Sequence, residues 1–152
     1  MCRRTACARR CASLHHHDRY DLVQGWMALR FGEWLDPERR YGRAALSPIA
    51  HDYTGLAPIY LQAGGREILH DMICDFASAQ AERGADVLLD VWPDMPHDFQ
   101  AFDTTKQSST EALARISSAI SCFSEGLGSF GPGPNTKVAH GQFAGHHPPA
   151  QQ

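Results

Sequence analysis

Residues 58–99 read PIYLQAGGREILHDMICDFASAQAERGADVLLDVWPDMPHDF and contain two apolar runs on either side of an amphipathic stretch. The runs at 58–63 and 86–92 predict short strands, and the second is so continuously apolar that it suits a strand covered on both faces. Between them, apolar side chains recur at helical spacing, which predicts a helix over 70–83 that ends at Gly84. Two strands joined through a helix form a parallel pair with a right-handed crossover. The stretch therefore predicts an α/β fold.

A further helix is predicted before this unit. Residues 18–35 carry an apolar stripe at positions i, i+4 and i+7, which is formed by Leu22, Trp26 and Leu29. Asp36-Pro37 ends the helix, because a residue that precedes proline avoids the α region. Residues 37–57 are predicted to form a loop that leads to the first strand.

A final helix is predicted after the second strand, over residues 109–125. Ser108 and Glu111 match the spacing of a capping box at its start. Apolar side chains line one face of this segment, and Gly126 provides the stop. The predicted order is helix, loop, strand, helix, strand, loop and helix.

The chain divides into three zones. Residues 18–126 hold all the predicted elements and form a partial domain, since two parallel strands and three helices are too few to cover both faces of such a sheet. Residues 1–17 form a basic arm without periodicity, and residues 127–152 are rich in Gly, Pro, His and Gln. Both terminal zones are predicted to be disordered. The predicted architecture is one end of a larger α/β domain.

Composition and charge narrow the class of protein. Of 152 residues, 43% are hydrophobic and 20% are charged, which is ordinary globular usage rather than that of a disordered, collagen-like or coiled-coil chain. A formal net charge of −3 gives no electrostatic footprint for nucleic acid. No apolar run approaches the roughly 20 residues of a membrane helix, and no apolar stretch of a secretory signal follows the N-terminal arginines. A cytoplasmic protein that binds neither nucleic acid nor membrane is expected.

The five cysteines raise the question of a metal site. Cys74 and Cys122 lie on apolar helical faces and are predicted to be small core residues. The other three, Cys2, Cys7 and Cys11, precede three consecutive histidines at 15–17, and this raises the alternative of zinc binding. Their spacing lacks the tighter, paired pattern of zinc ligands. No metal and no organic cofactor is therefore predicted.

The carboxyl ends of the two predicted strands bring reactive residue types to one edge of the sheet, where ligands bind in open α/β folds. Glu67 follows the first strand and His97 follows the second. Because neighbouring strands lie about 4.8 Å apart, a carboxylate and an imidazole a few residues past the strand ends can reach each other. Such a carboxylate fixes the tautomer of the imidazole and leaves its other nitrogen free to act as a base. Spacing alone also fits a solvated histidine and a surface glutamate.

Two segments resemble the C-terminal part of the hormone-sensitive-lipase-like carboxylesterases, a family of α/β-hydrolases. They are LSPIAHDYTGLAPIYLQAGGREILHDM at 46–72 and AERGADVLLDVWPDMPHDFQAF at 81–102. Five features occur in family order: a Ser-Pro before the first strand, a Gly-Gly turn with an acid, a crossover helix, a strand that ends in Trp-Pro, and a histidine followed two residues later by Phe. The resemblance covers residues 46–121, with a looser match to a cap-side helix at 18–35, and residues 1–17 match nothing in it.

The resemblance implies a Ser-His-Glu triad that hydrolyses short carboxylic esters or amides. The segment Glu67-Ile68-Leu69-His70-Asp71 resembles one form of the family's acid turn, so Glu67 is the expected acid. Asp71 falls one helical turn later and is expected to be a charge at a helix N-terminus. His97-Asp98-Phe99 matches the family's base, although Asp98 replaces the commoner small residue. The order of acid and then histidine agrees with that of α/β-hydrolases.

Two motifs of the family are absent from the sequence. It contains no G-x-S-x-G nucleophile elbow and no HGGG oxyanion motif, and LGSFG at 127–131 has Leu127 where the first glycine belongs. The chain is therefore expected to be a truncated carboxylic ester hydrolase that carries Glu67 and His97 without the nucleophile and is inactive alone. A small-molecule ester would bind only when the missing part is present. The alternative is a non-catalytic remnant or interaction module without hydrolase activity.

Overall fold

The computed structural model describes residues 12–126 and 129–143 of the chain. In chain order its elements are α1 (Ala12–His16), α2 (Gly25–Leu35), α3 (Gly42–Leu46), a 3₁₀ turn (Pro48–Ala50), β1 (Ile59–Gly64), α4 (His70–Arg83), β2 (Val87–Trp92), α5 (Phe99–Phe102), α6 (Gln107–Glu125), β3 (Thr136–His140) and a second 3₁₀ turn (Gly141–Phe143). The predicted strand–helix–strand unit corresponds to β1, α4 and β2. Gly84, with φ of 97°, ends α4 in the left-handed region, as the sequence predicts.

The three strands form one mixed sheet in the order β1–β2–β3. The pairing of β1 with β2 is parallel and runs from Ile59 opposite Val87 to Gly64 opposite Trp92. On the other edge of β2, the antiparallel β3 is added. The central strand β2 is buried along its whole length except at the half-buried Val91. The predictions of a parallel pair and of a second strand covered on both faces are confirmed.

Alternate residues of β2 enter two separate apolar cores, because successive side chains of a strand point to opposite faces. Val87 and Leu89 pack with α4 on one face. Leu88 packs on the other face with Ala119 of α6 and with two phenylalanines of the C-terminal segment, Phe130 and Phe143. Both cysteines of the predicted core, Cys74 and Cys122, are partly buried against these clusters.

The prediction of disordered termini is wrong for the parts of them that the structure describes. Within 127–152, residues 129–143 contain β3 and a 3₁₀ turn, and Phe143 is fully buried over the sheet. Within 1–17, residues 12–16 form α1. Both segments gain their order from residues far away in the sequence, and neither has a periodicity of its own. Residues 1–11, 127–128 and 144–152 lie outside the described part of the chain.

Three predicted boundaries also change. The helix expected over 18–35 begins only at Gly25, and the loop expected over 37–57 contains α3 and a 3₁₀ turn. The final helix begins at Gln107 after the N-cap residue Lys106, without the predicted capping box. Its stop at Gly126, with φ of 66°, is confirmed. None of the helices in the described ranges is long and apolar enough to cross a membrane.

Candidate functional site

The turns that follow β1 and β2 interlock at the carboxyl edge of the sheet. The amide of Gly65 donates to the carbonyl of Trp92 at 2.8 Å, and the amide of Arg66 donates to the carbonyl of Met95 at 3.0 Å. A Cβ atom added at Gly64 would lie 2.3 Å from the Met95 carbonyl oxygen and 2.6 Å from that of Pro96. The backbones of the two turns therefore approach so closely that only glycine fits at position 64.

This close approach buries the carboxyl group of Glu67, which is 3% exposed. The Gly64 amide donates to Glu67 Oε2 at 3.1 Å. Burial raises the pKa of the Glu67 carboxyl, while the hydrogen bond from the Gly64 amide and the nearby His97 oppose that rise. The site thus holds a carboxyl group in an environment that makes its negative charge costly unless a cation or hydrogen-bond donor approaches.

His97 lies next to this carboxyl group. Its Nδ1 is 3.5 Å from Glu67 Oε2, and its Nε2 is 3.4 Å from Asp98 Oδ2. Both distances exceed the roughly 2.7–2.9 Å of a charge-assisted hydrogen bond, so His97 Nδ1 approaches the Glu67 carboxyl group without a hydrogen bond to it. Catalytic hydrogen bonds are often long in the absence of substrate. The two residues lie at the same sheet edge, and the arrangement can orient an imidazole for proton transfer.

Two further acids near the turns, Asp71 and Asp94, have other partners. Asp71 accepts a hydrogen bond from the backbone amide of Ser13 at 2.9 Å and lies in the first turn of α4, next to the ring of His70. Asp94 pairs with Arg66 at 2.5 Å on the exposed side of the turns. Of these acids, Glu67 is the one whose carboxyl group approaches His97 Nδ1, at 3.5 Å, and its role as the acid stays a prediction.

The histidine turn is a conformationally demanding segment. Asp94 and Asp98 both have positive φ values, 62° and 51°, which are uncommon for residues other than glycine and are best tolerated by Asn and Asp. Trp92, Phe99 and Ala112 form a third buried cluster beneath the turn. This cluster anchors the turn on both sides of His97.

The N-terminal segment contacts the acid turn through residues that the sequence does not predict to be functional. Ser13 Oγ donates to the carbonyl of Ile68 at 2.8 Å, and His17 Nδ1 donates to the carbonyl of Glu67 at 2.9 Å. Asp21 accepts from the amides of Ile68 and His97. No local sequence pattern predicts these contacts, because each joins residues separated by about 50 positions or more.

Two other features bear on what the site could bind. Among residues 12–126 and 129–143, no group of three or more His, Cys, Asp or Glu side chains is placed to hold a metal ion; the three N-terminal cysteines lie outside these ranges. A cavity of about 560 Å³ lies between β1 and α6, lined by residues that include Tyr60, Gln62 and Phe123. Neither Glu67 nor His97 lines it. The described residues therefore place the pair outside that cavity.

The sequence and the fold of the chain are similar to those of known hydrolases. A sequence profile of the alpha/beta hydrolase fold matches residues 4–101. This match includes residues 4–17, which had been expected to fall outside any resemblance. An acetyl-hydrolase from Streptomyces hygroscopicus is 35% identical over 71 residues, which make up 47% of this chain and 22% of that protein.

Solved structures of an esterase and of a lipase have a similar fold. An esterase from the bacterial hormone-sensitive lipase family is similar with a TM-score of 0.66 and 27% identity, over 73% of this chain and 38% of that one. A hormone-sensitive lipase from a metagenome library is similar with a TM-score of 0.64 and 26% identity, again over 73% of this chain and 38% of the other. The 152-residue chain thus spans about two fifths of the length of these solved relatives.

Proposed function

Because the chain belongs to a family of the alpha/beta hydrolase fold, we propose that it supplies the acid and the base of a carboxylic ester hydrolase. Glu67 is the acid and His97 is the base. The nucleophilic serine and the oxyanion donors come from residues outside this 152-residue sequence, which contains no G-x-S-x-G motif. The observation that carries the proposal is the 3.5 Å approach of Glu67 Oε2 to His97 Nδ1 at the carboxyl edge of the sheet.

The chemistry follows from this geometry. The buried carboxylate beside Nδ1 favours the tautomer in which Nδ1 carries the proton. Nε2 lies 3.4 Å from Asp98 Oδ2, and under the proposed function the exposed Asp98 side chain has to turn away so that Nε2 is the free base. In the complete site Nε2 takes the proton of the serine hydroxyl as the hydroxyl attacks the ester carbonyl. It then gives that proton to the departing alcohol. The Glu67 carboxylate stabilises the imidazolium that forms between the two transfers.

A small ester with a short acyl group is the proposed substrate class. The curated relative is an acetyl-hydrolase, and the first solved relative is described as an esterase. No metal or organic cofactor is required, because the serine, histidine and acid carry the reaction between them. The chain by itself should show no turnover, since without a nucleophile the pair can only activate water.

A chimera tests the proposal. Residues 12–143, which include β3 and Phe143, replace the matching C-terminal segment of a hormone-sensitive-lipase-family esterase that retains its own serine and oxyanion loop, and hydrolysis of p-nitrophenyl acetate is followed. We expect an active chimera that loses about 10³-fold or more of its kcat/KM with His97→Ala, and a large part of it with Glu67→Gln. Asp94→Asn is the matched control, since Asp94 is an acid of the same turns that pairs with Arg66 instead.

Circular dichroism shows whether each variant of the chimera is folded, so that a loss of activity can be told apart from a loss of folding. A folded and active chimera that is unaffected by His97→Ala would exclude the proposed base. Loss of activity with Asp94→Asn equal to that with Glu67→Gln would show that the acid was misassigned. The isolated chain should not hydrolyse the ester above its own His97→Ala variant.

A non-catalytic interaction module is the second candidate, and one observation favours it. Five large apolar side chains of α2 are more than half exposed, namely Trp26, Leu29, Phe31, Trp34 and Leu35. A monomeric protein rarely exposes such a continuous apolar patch unless something covers it. Full activity of the chimera with intact His97 dependence would argue against a chain that has lost its chemistry.

A further inference from the structure

Asp21 reaches both turns of the site from a distant part of the chain. Its Oδ2 accepts a hydrogen bond from the amide of Ile68 at 2.6 Å, and its Oδ1 accepts one from the amide of His97 at 3.0 Å. Oδ1 also accepts from the neighbouring amide of Leu22 at 2.7 Å. The side chain of Asp21 is buried, with the residue 9% exposed. The Asp21 carboxylate thus joins the backbone of Ile68, which follows Glu67, to the backbone of His97.

We propose that Asp21 is a positioning residue that holds the acid turn and the histidine turn at the separation which the Glu67–His97 pair requires. The inference rests on the proposed function in so far as that pair is the acid and base. The contact itself stands independently of any activity.

The Asp21 carboxylate bridges two distant turns, and it is more than a cap for its own neighbouring residues. Local caps satisfy amides within a few residues of the acid, and only the Leu22 contact is of that kind. Ile68 and His97 are 47 and 76 positions away. A carboxylate has two oxygens that only accept, so it can take amides from two separate backbones at once. An asparagine side chain has one accepting oxygen, and its NH₂ group would oppose the second amide.

The three amides also explain how a carboxylate is tolerated here. Among the described residues, no cation lies within ion-pair distance of Asp21, so backbone N–H groups provide the compensation that a buried charge requires. Burial is the main cause that raises the pKa of Glu67, and the negative charge of Asp21 adds to it. Asp21 therefore acts on the acid through the backbone and through its charge.

The test compares Asp21→Asn and Asp21→Ala in the full 152-residue chain. Amide hydrogen exchange is measured at Ile68 and His97, with Ala85 as an internal reference because its amide bonds to the Gln80 carbonyl at 3.0 Å, at the end of α4 and away from both turns. We expect Asp21→Asn to accelerate exchange about 10- to 100-fold at one of the two amides, and Asp21→Ala at both, as for the loss of a charge-assisted hydrogen bond. Ala85 should change much less.

The control variant is Asp18→Asn. Asp18 lies three residues earlier, and its Oδ1 accepts from the amide of Gly25 at 2.5 Å rather than from either turn. It should leave the exchange at Ile68 and His97 unchanged. Unchanged exchange at both amides in a folded Asp21→Ala chain would overturn the proposal, and so would an equal acceleration at Ala85, since that would indicate a general loss of stability.

A second readout reports the ring of His97 rather than the fold. The ¹⁵N resonances of the His97 ring should move in Asp21→Asn in the same direction as in Glu67→Gln, because both variants weaken the interaction of the ring with the carboxylate. Glu67→Gln removes the carboxylate, and Asp21→Asn lets the ring move away from it. In the chimera described above, Asp21→Asn should lower kcat about 10-fold with little change in KM. If the chimera is inactive, the proposed function fails, while exchange and ring resonances still decide the role of Asp21. Ring resonances that match the unsubstituted chain would count against it.

Discussion

Replacement of Gly64 by alanine should damage the chain more than any other single methyl group added to the site. The added Cβ would lie 2.3 Å from the Met95 carbonyl oxygen, 2.6 Å from that of Pro96 and 2.9 Å from the Met95 carbonyl carbon. All three are backbone atoms, so no flexible side chain can move aside. The turns after β1 and β2 would have to separate by about 1 Å to restore ordinary van der Waals contact.

The magnitude follows from the cost of overpacking. Insertion of a methylene into a well-packed core typically costs about 1–3 kcal/mol, and occasionally more. Here the separation also strains the hydrogen bonds from the amides of Gly65 and Arg66 that join the two turns. We expect Gly64→Ala to lower the free energy of unfolding by about 3 kcal/mol or more, which is a large share of the total stability of a small domain.

Urea denaturation followed by circular dichroism measures this loss, and Gly32→Ala is its matched control. A Cβ at Gly32 meets nothing within 4 Å, and Gly32 lies inside α2. Because alanine is the better helix former, Gly32→Ala should raise stability by about 0.5–1 kcal/mol. If Gly64→Ala changed the free energy of unfolding by less than about 0.5 kcal/mol, the close approach of the two turns would be refuted.

Three further predictions concern charge and packing. Glu67→Gln should remove a pH dependence. Burial raises the pKa of Glu67 in the folded chain above its ordinary value, so the unsubstituted chain should lose stability as the pH rises through that raised pKa. Urea denaturation at pH 4 and pH 8 should therefore show the Gln variant gaining relative stability at the higher pH, and an equal difference at both pH values would contradict the reasoning. Phe143→Ala should lower the free energy of unfolding by about 3–5 kcal/mol, because Phe143 is fully buried. The control Phe102→Ala, at an exposed position, should change it by less than about 0.5 kcal/mol. Equal effects would contradict the packing of the C-terminal segment. Arg115→Met should lower the free energy of unfolding by about 3 kcal/mol, because it leaves the buried Asp90 carboxylate without the guanidinium that lies 2.8 Å away. The double variant Arg115→Met/Asp90→Leu should recover part of that loss in urea denaturation. No recovery would argue against an ion-pair effect.

The sequence predicted those parts of the fold that local patterns specify. The helix over 70–83 and its glycine stop matched because amphipathic spacing and a left-handed cap are both local signals. The placement of Glu67 and His97 at one edge followed from strand order alone, because parallel neighbours end at the same edge of a sheet. Their separation of 3.5 Å depends on how the two turns pack, and no spacing rule supplies that distance.

The parts that were missed depend on contacts distant in sequence. β3 has five residues in a Gly- and Pro-rich region, and its order comes from pairing with β2 and from Phe143 against Leu88. The early start predicted for α2 failed for a related reason. Residues before Gly25 leave the helical path, and Asp21 among them bonds to two turns that are 47 and 76 positions away. Apolar periodicity could not reveal that a polar residue within the predicted helix had a partner elsewhere.

The contacts that position the candidate acid and base come from elements that this chain contains. The Gly64 amide holds Glu67, Asp21 joins the two turns, and the cluster of Trp92 and Phe99 supports the histidine. Exposed apolar side chains also occur on α2 and α6, among them Trp26, Leu29 and Ile120. Under the proposed function, the nucleophile and the substrate pocket would come from a partner segment, and the contacts of the two turns would not depend on it. The geometry of the pair can therefore be tested by exchange and ring resonances in a chain that is expected to have no turnover.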